Sequence, residues 1–203
     1  MFVQVITGRT HNADQLQATL DRWVDELSPG AEGWLGSTAG VTEDGRFVAL
    51  ARFESEEAAQ RNSNRPEQDQ WWSETAGLLD GEPTFRNSVE VMPDLQGDPD
   101  EATFVQIMQG EQGPNPERAR ELMSEHSDEW AAFRPEILGS IGVEHPDHTW
   151  TMALYFTSEA EAREGERKEP PPELKAQMEE MDQLGGGEPE YFDLKHPWLS
   201  SRG

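Results

Sequence analysis

The chain contains one strand-like stretch twice, and this repeat constrains its fold more than any other feature. Residues 2–8 read Phe-Val-Gln-Val-Ile-Thr-Gly, and residues 104–110 read Phe-Val-Gln-Ile-Met-Gln-Gly. Each copy is a short apolar run closed by glycine, which is typical of a β-strand. Because the segments that follow the two copies are also alike, the sequence predicts two versions of one module. The modules are residues 1–96 and 103–203, and residues 97–102 form the linker.

Each module is predicted to have the order βαββαβ. In the first module an apolar helix face precedes two strands, which the hairpin dipeptide Asp44-Gly45 joins. A second helix begins at Ser55 and breaks near Pro66, and a fourth strand is predicted from Thr84 to Met92. This order is typical of the ferredoxin-like fold, an antiparallel sheet with two helices on one face. The face of the first predicted helix comprises Leu16, Leu20, Trp23, Val24 and Leu27 in the first module, and Ala119, Met123, His126 and Trp130 in the second.

Charge and composition restrict the classes of partner. The formal net charge is −25, from 41 acidic and 16 basic residues. This field repels phosphate backbones and anionic lipids, so neither nucleic acid nor a membrane is expected as a partner. The chain has no cysteine, which excludes disulfides and thiolate metal sites. It opens directly into a strand without a signal peptide, and a cytoplasmic location is expected.

Both faces of the predicted sheets are apolar. In the third strand of the first module, Phe47 and Phe53 share one face, while Val48 and Leu50 share the other. Helices can cover only one face, so the sheet of the sister module is expected to cover the other. The prediction is therefore an α+β chain whose two modules pack sheet to sheet, as a monomeric pseudo-dimer or as a homodimer. A first module expressed alone is expected to dimerise or aggregate.

The duplicated Phe-Val-Gln strand and the stretch from Arg52 to Ala58, Arg-Phe-Glu-Ser-Glu-Glu-Ala, carry a resemblance to a known family. The chain resembles the dimeric α/β-barrel superfamily, in particular its antibiotic-biosynthesis-monooxygenase-like group. The resemblance implies two ferredoxin-like units that form a barrel, here fused in one chain. Haem-degrading members of this superfamily use a histidine on the second helix of each unit. Neither second helix here contains one, so no cofactor is expected.

Side-chain alternation on the third strands assigns candidate catalytic residues. Arg52 and Tyr155 occupy equivalent positions and are predicted to face the space between the sheets, with Thr151 as a ligand-binding residue on the same face. Arg52 could instead pair with a nearby acid. Because Ala153 is smaller than Leu50, its counterpart, the larger pocket is predicted on the second module's sheet with Tyr155 at its wall. The larger aromatic residues are predicted to face the helices: Phe47, Phe53, Trp150 and Phe156.

Four further residues are candidates for ligand binding. Gln4 and Gln106 are assigned to the same space between the sheets, either as ligand-orienting amides or as structural amides. Trp71 and Trp72 follow the helix break near Pro66, where a loop could cover the barrel, although core packing also explains them.

The histidines give weaker signals. His126 replaces Trp23 on the repeated helix face, which indicates a core or boundary residue. His145 and His148 lie in the loop between the second and third strands of the second module. Because no third ligand accompanies them, no metal site is predicted.

Three functions are compatible with this pattern. The first is a cofactor-independent monooxygenase-like enzyme that acts on a small hydrophobic or aromatic molecule in the barrel. The second is a non-catalytic ligand-binding or stress-associated module. The third is a structural fusion whose barrel is filled.

Overall fold

The computed structural model describes residues 1–95 and 97–202. It contains two compact units. The first comprises residues 1–91 together with the C-terminal segment from Leu194, and the second comprises residues 92–193. Gln96 and Gly203, the last residues of the two predicted modules, lie outside the described residues.

The first half of the chain has the predicted order of elements. Strand β1 is followed by α1, which continues as a π-helical turn over Trp23–Leu27 and a 3-10 turn over Ser28–Gly30. The helix predicted to begin at Ser55 is two helices, α2 and α3, which meet at Pro66 as the sequence indicates. The bounds are β1 Phe2–Arg9, α1 Ala13–Arg22, β2 Trp34–Val41, β3 Arg46–Phe53, α2 Glu56–Ser63, α3 Pro66–Ala76 and β4 Thr84–Ser88.

The second half repeats this order between two additional strands. The first additional strand, β5, precedes a 3-10 turn at Pro99–Glu101, and the second, β10, ends the chain. The bounds are β5 Glu90–Leu95, β6 Phe104–Glu111, α4 Pro116–Ser124, α5 Ser127–Phe133, β7 Ile137–Glu144, β8 Thr149–Phe156, α6 Glu159–Gly165, α7 Pro172–Leu184, β9 Glu190–Leu194 and β10 Trp198–Ser201.

Each unit contains a five-stranded sheet. The orders are β10-β2-β3-β1-β4 and β5-β7-β8-β6-β9. The four strands shared by the two sheets, β2-β3-β1-β4 and β7-β8-β6-β9, follow the ferredoxin-like order. The pairs of β3 with β1 and β2, and of β8 with β6 and β7, are antiparallel. The prediction of an α+β chain with two tandem ferredoxin-like modules is confirmed, while the packing of one sheet on the other stays a prediction.

The predicted fourth strand from Thr84 to Met92 is wrong at its end. β4 ends at Ser88 in the first sheet, and β5 begins at Glu90 in the second sheet. The Ser88 side chain accepts a hydrogen bond from the Glu90 backbone N–H at 2.9 Å, which interrupts the extended chain between the two strands. Near the C-terminus of the chain, β10 pairs with β2 in the first sheet. The compact units therefore begin and end at different residues from the predicted modules.

The helices of the first unit cover one face of its sheet. Phe47 packs with Leu16 and Leu79, whereas Phe53 packs with Trp23 and other buried aromatic residues. Each such side chain removed from water stabilises the fold by about 1.5–3 kcal/mol. The predicted helix-facing side of β3 is thus confirmed for this unit.

The first helix of the second module is not continuous as predicted. α4 ends at Ser124, and His126 adopts a left-handed conformation with φ 57° before α5 begins. A left-handed residue ends a helix because the chain leaves the helical path there. Because the apolar residues keep a helical spacing across this break, the sequence predicted one continuous helix. His126 is half-buried beside Glu129, with Nδ1 and Oε1 3.7 Å apart, and is not part of a helix face.

Candidate functional site

A cavity of about 280 Å³ lies in the first unit between the sheet and its helices. Its floor is the helix-facing side of the sheet, where Ala39, Ala49 and Ala51 leave a shallow surface. The walls are mostly aromatic and come from α1 and its π-helical turn, β2, α2, α3 and β4. This volume lies near the lower end of the range for small-molecule sites in proteins. The aromatic wall residues include Trp23, Trp34, Trp71, Trp72 and Phe85.

Hydrogen bonds and ring contacts hold the aromatic walls in place. Trp71 donates from Nε1 to the Thr19 carbonyl oxygen at 2.9 Å. The Trp72 and Phe85 rings meet edge to face, with their centroids 5.2 Å apart. Because Phe85 is 44% exposed and Trp72 is half-buried, this pair lies at the solvent side of the cavity.

A chain of polar side chains reaches the cavity from the junction of α2 and α3. Arg65 Nη1 donates to Asn62 Oδ1 at 2.9 Å, and Asn62 Nδ2 donates to Gln68 Oε1 at 3.1 Å. Trp23 Nε1 donates to the same Gln68 oxygen at 2.6 Å. Asn62 and Gln68 both line the cavity, so this chain gives the largely apolar site an oriented polar edge.

The cavity lining carries one ionisable side chain among the described residues, Asp69. It follows Gln68 in α3 and is exposed, as is the lining residue Ser63. These two residues place an opening of the cavity at the junction of α2 and α3. Asp69 therefore places a carboxylate at this opening.

Three predicted ligand-binding residues line this cavity. Gln4 lies on the same face of the sheet as Ala51, its partner in the β1–β3 register, and donates to Asn87 Oδ1 at 3.1 Å. Its assignment to the face away from the helices is therefore wrong, because Gln4 shares its parity with Phe2. Trp71 and Trp72 lie within helix α3 rather than in a loop, and both contribute to the wall.

The two catalytic candidates lie elsewhere. Arg52 and Tyr155 are absent from the lining of this cavity, and the larger pocket with Tyr155 at its wall stays a prediction. Tyr155 is fully buried. Arg52 is 8% exposed, and its Nη2 lies 3.4 Å from Ser201 Oγ. Within residues 1–95 and 97–202, Arg52 has no acidic partner, and its Nε has no hydrogen-bond partner.

The remaining candidates form hydrogen bonds in the second unit. Gln106 donates to Asp193 Oδ1 at 2.9 Å, which parallels the bond between Gln4 and Asn87. Thr151 is buried, and its hydroxyl lies 2.9 Å from Nε2 of His145.

His145 and His148 occupy the turn between β7 and β8, and His148 has φ 61°. In the described part of the chain, no group of three or more histidine and carboxylate side chains is arranged to hold a metal ion. Nor does any helix in that part have the length and apolarity needed to cross a membrane.

The sequence patterns did not indicate Asn62, Gln68 or Asp69 as site residues. A signal for the cavity was nevertheless present in the repeat. Ala51 opposes Gln4 in the first sheet, and Leu154 opposes Gln106 in the second. Likewise, Met152 takes the place of Ala49. The smaller residues of the first unit leave space over the sheet that the larger residues of the second unit occupy.

The fold and the cavity together define a protein of two tandem ferredoxin-like modules with a ligand-sized cavity under the helices of one module. No family model matches the chain, and no curated protein matches it. Solved structures do match it over nearly its full length, at identities that show the fold alone.

Two of these structures are each described as a "putative monooxygenase". One, from Lactobacillus acidophilus NCFM, has a TM-score of 0.76 at 14% identity, over 100% of this chain and 97% of that chain. The other, from Fusobacterium nucleatum subsp. nucleatum, has a TM-score of 0.77 at 11% identity, over 100% and 94%. An anthrone oxidase-like protein has a TM-score of 0.65 at 13% identity, over 98% and 93%. The predicted resemblance to the monooxygenase-like barrel proteins is confirmed at the level of the fold.

Proposed function

We propose that the first unit binds a small planar aromatic molecule in the cavity between its sheet and helices, and oxygenates it without a resident cofactor. The observation that carries this proposal is the cavity itself, which combines a flat alanine floor, aromatic walls and two oriented amides. Flat apolar surfaces favour planar rings, and a few fixed polar groups orient them. The proposal also agrees with the descriptions of the structural neighbours.

The chemistry requires an acidic C–H or O–H group on the substrate. Loss of this proton gives an electron-rich anion that can react with dioxygen directly. Asp69 is the lining residue able to accept the proton. Gln4 and Gln68 supply amide groups that can orient the substrate.

Anthrones are suitable first substrates, since one structural neighbour is described as anthrone oxidase-like. In this reaction the ring CH₂ carbon loses both hydrogens and gains one oxygen atom of dioxygen as a carbonyl. The other oxygen atom leaves as water with those two hydrogens. The substrate supplies all the electrons, and dioxygen is the oxidant.

The test combines binding and turnover. Titration with 2-naphthol measures binding, while oxygen uptake and product mass measure anthrone oxidation above the rate without protein. With isotopically labelled dioxygen, we expect one labelled oxygen atom in the anthraquinone. Asp69→Asn should retain 2-naphthol binding and lose about a hundredfold in turnover, the lower limit for general acid–base catalysis.

Other outcomes separate the alternatives. Binding of 2-naphthol without oxidation of any phenol or anthrone would support a non-catalytic ligand-binding module. Failure to bind any aromatic ligand would contradict the proposal and support a structural role.

A further inference from the structure

The orientation of two amides in the cavity is determined by donor-only groups. A guanidinium and an indole N–H donate hydrogen bonds and accept none. Arg65 therefore faces the oxygen of Asn62, which turns Asn62 Nδ2 toward Gln68. Trp23 also requires an oxygen from Gln68. Both lone pairs of Gln68 Oε1 are thus used, and its Nε2 carries two N–H groups that can donate elsewhere.

The Gln68 amide nitrogen has no partner within the described ranges 1–95 and 97–202, although the residue is half-buried and lines the cavity. An N–H donor at the edge of an apolar cavity favours a ligand oxygen, particularly one that carries negative charge. The positive charge of Arg65 acts in the same direction, because each hydrogen bond in such a chain polarises the next.

The second unit contains a related hydrogen bond from an indole to an amide oxygen, but there the amide nitrogen already has hydrogen-bond partners. Trp130 Nε1 donates to Gln177 Oε1 at 2.6 Å, the same distance as in the Trp23–Gln68 pair. However, Gln177 Nε2 donates to the backbone oxygens of Leu122 and Glu125. The indole–amide bond therefore occurs in both units, but only in the second does the amide nitrogen have partners within the described residues.

We propose that Gln68 Nε2 binds the oxyanion of a phenolate or enolate, and that Arg65 is a positioning residue that acts through Asn62 to hold this donor. The inference rests on the proposed function and specifies the substrate class, an aromatic molecule with an ionised oxygen on or beside the ring. The proton lost from the O–H group of a phenol, or from the C–H group that gives an enolate, passes to Asp69 or to solvent at the opening of the cavity.

The surroundings of Arg65 hold its guanidinium in one place. Its Nη1 also donates to the Leu27 carbonyl oxygen at 3.1 Å. A Cβ at Gly30 would come within 2.7 Å of Arg65 Nη2, so the glycine leaves room for the guanidinium. The Glu67 carboxylate lies 3.0 Å from Arg65 Nε. Its pKa is lowered, first by its own backbone N–H and then by Arg65, so it remains ionised and offsets part of the Arg65 charge.

The experiment compares two probes of similar shape, 4-nitrophenol and nitrobenzene, at a pH where the phenol is ionised. Titrations with the full chain give an affinity for each. Gln68→Leu, Arg65→Met and Asn62→Asp should each weaken 4-nitrophenolate binding about tenfold or more, the usual effect of losing a hydrogen bond to a charged group. Nitrobenzene affinity should change less than about twofold, which also shows that each variant retains its cavity.

Asn62→Asp distinguishes positioning from simple packing, because it preserves shape. A carboxylate beside Gln68 attracts the amide nitrogen and turns the amide oxygen toward the ligand. Arg65→Lys should restore part of the phenolate affinity that Arg65→Met loses. Equal weakening of both probes in the Arg65 variants, or unchanged phenolate binding, would overturn the inference. Failure of the wild-type chain to bind either probe would instead contradict the proposed function.

Discussion

Two alanines on β3 determine how much space remains over the sheet of the first unit. Ala49 and Ala51 line the cavity, and Met152 and Leu154 hold the corresponding positions of β8. Ala51 is half-buried although it lies on the central strand, because the cavity opens above it. A larger side chain at this position would extend into space that a ligand would otherwise occupy.

Exchanging the residues of the two units tests this difference. Ala51→Leu should lower 2-naphthol affinity at least tenfold with little change in stability, because the added atoms enter the cavity rather than a packed core. Leu154→Ala is the matched control, and because Leu154 is half-buried it should lower stability by about 1 kcal/mol without changing affinity. Urea unfolding measures the stability and fluorescence titration the affinity. Retention of full affinity by Ala51→Leu would contradict this location of the site.

At the scale of the elements, each sheet contains one additional strand. β5 follows the first βαββαβ repeat in the chain and belongs to the second sheet, whereas β10 follows the second repeat and belongs to the first sheet. β10 pairs with β2 so that Trp198 lies opposite Ala39, and the Trp198 ring lies 6.4 Å from the ring of Phe47. Lys195 Nζ lies 3.1 Å from Glu43 Oε1 beside this strand. β10 therefore covers the edge of β2, which contributes Trp34 to the cavity wall.

Removal of residues 196–203 should destabilise the first unit. The truncated chain loses the ladder with β2 and the apolar contact of Trp198, so its urea midpoint should fall and its affinity for 2-naphthol should weaken. A control chain that lacks only residue 203 retains β10 and the hydrogen bond from the Arg202 N–H to the Leu35 carbonyl oxygen, and it should unfold at the midpoint of the full chain. An unchanged midpoint after the longer deletion would contradict the assigned role of β10.

The sequence predicted the elements that have a clear period and missed those that do not. The apolar helix faces and the alternation on β3 each specify one structure, because burial selects one side of the element. β5 and β10 are short and follow or contain proline, which weakens a strand prediction. Each of them pairs with a strand of the other repeat, β5 with β7 and β10 with β2, and local periodicity does not encode such long-range pairing. The same limit applies to His126, where one left-handed residue interrupts an otherwise periodic segment.

At the scale of the whole chain, two copies of one fold carry different interiors. The repeat of the Phe-Val-Gln strand was sufficient to predict two ferredoxin-like modules, since the βαββαβ order recurs. The site was harder to predict, because it depends on which side chains are small and which amides are oriented. Parity selected Arg52 and Tyr155, yet the cavity lies on the other side of β3, beside Gln68.

A crystal structure of the full chain with bound 2-naphthol would locate the ligand. We expect the ring over Ala51 and beside Trp72 in the first unit, with the naphthol oxygen about 3 Å from Gln68 Nε2. This result would support the proposed site and its oxygen-binding amide together. A ligand bound beside Tyr155 or Arg52 instead, with the first unit's cavity unoccupied, would contradict both.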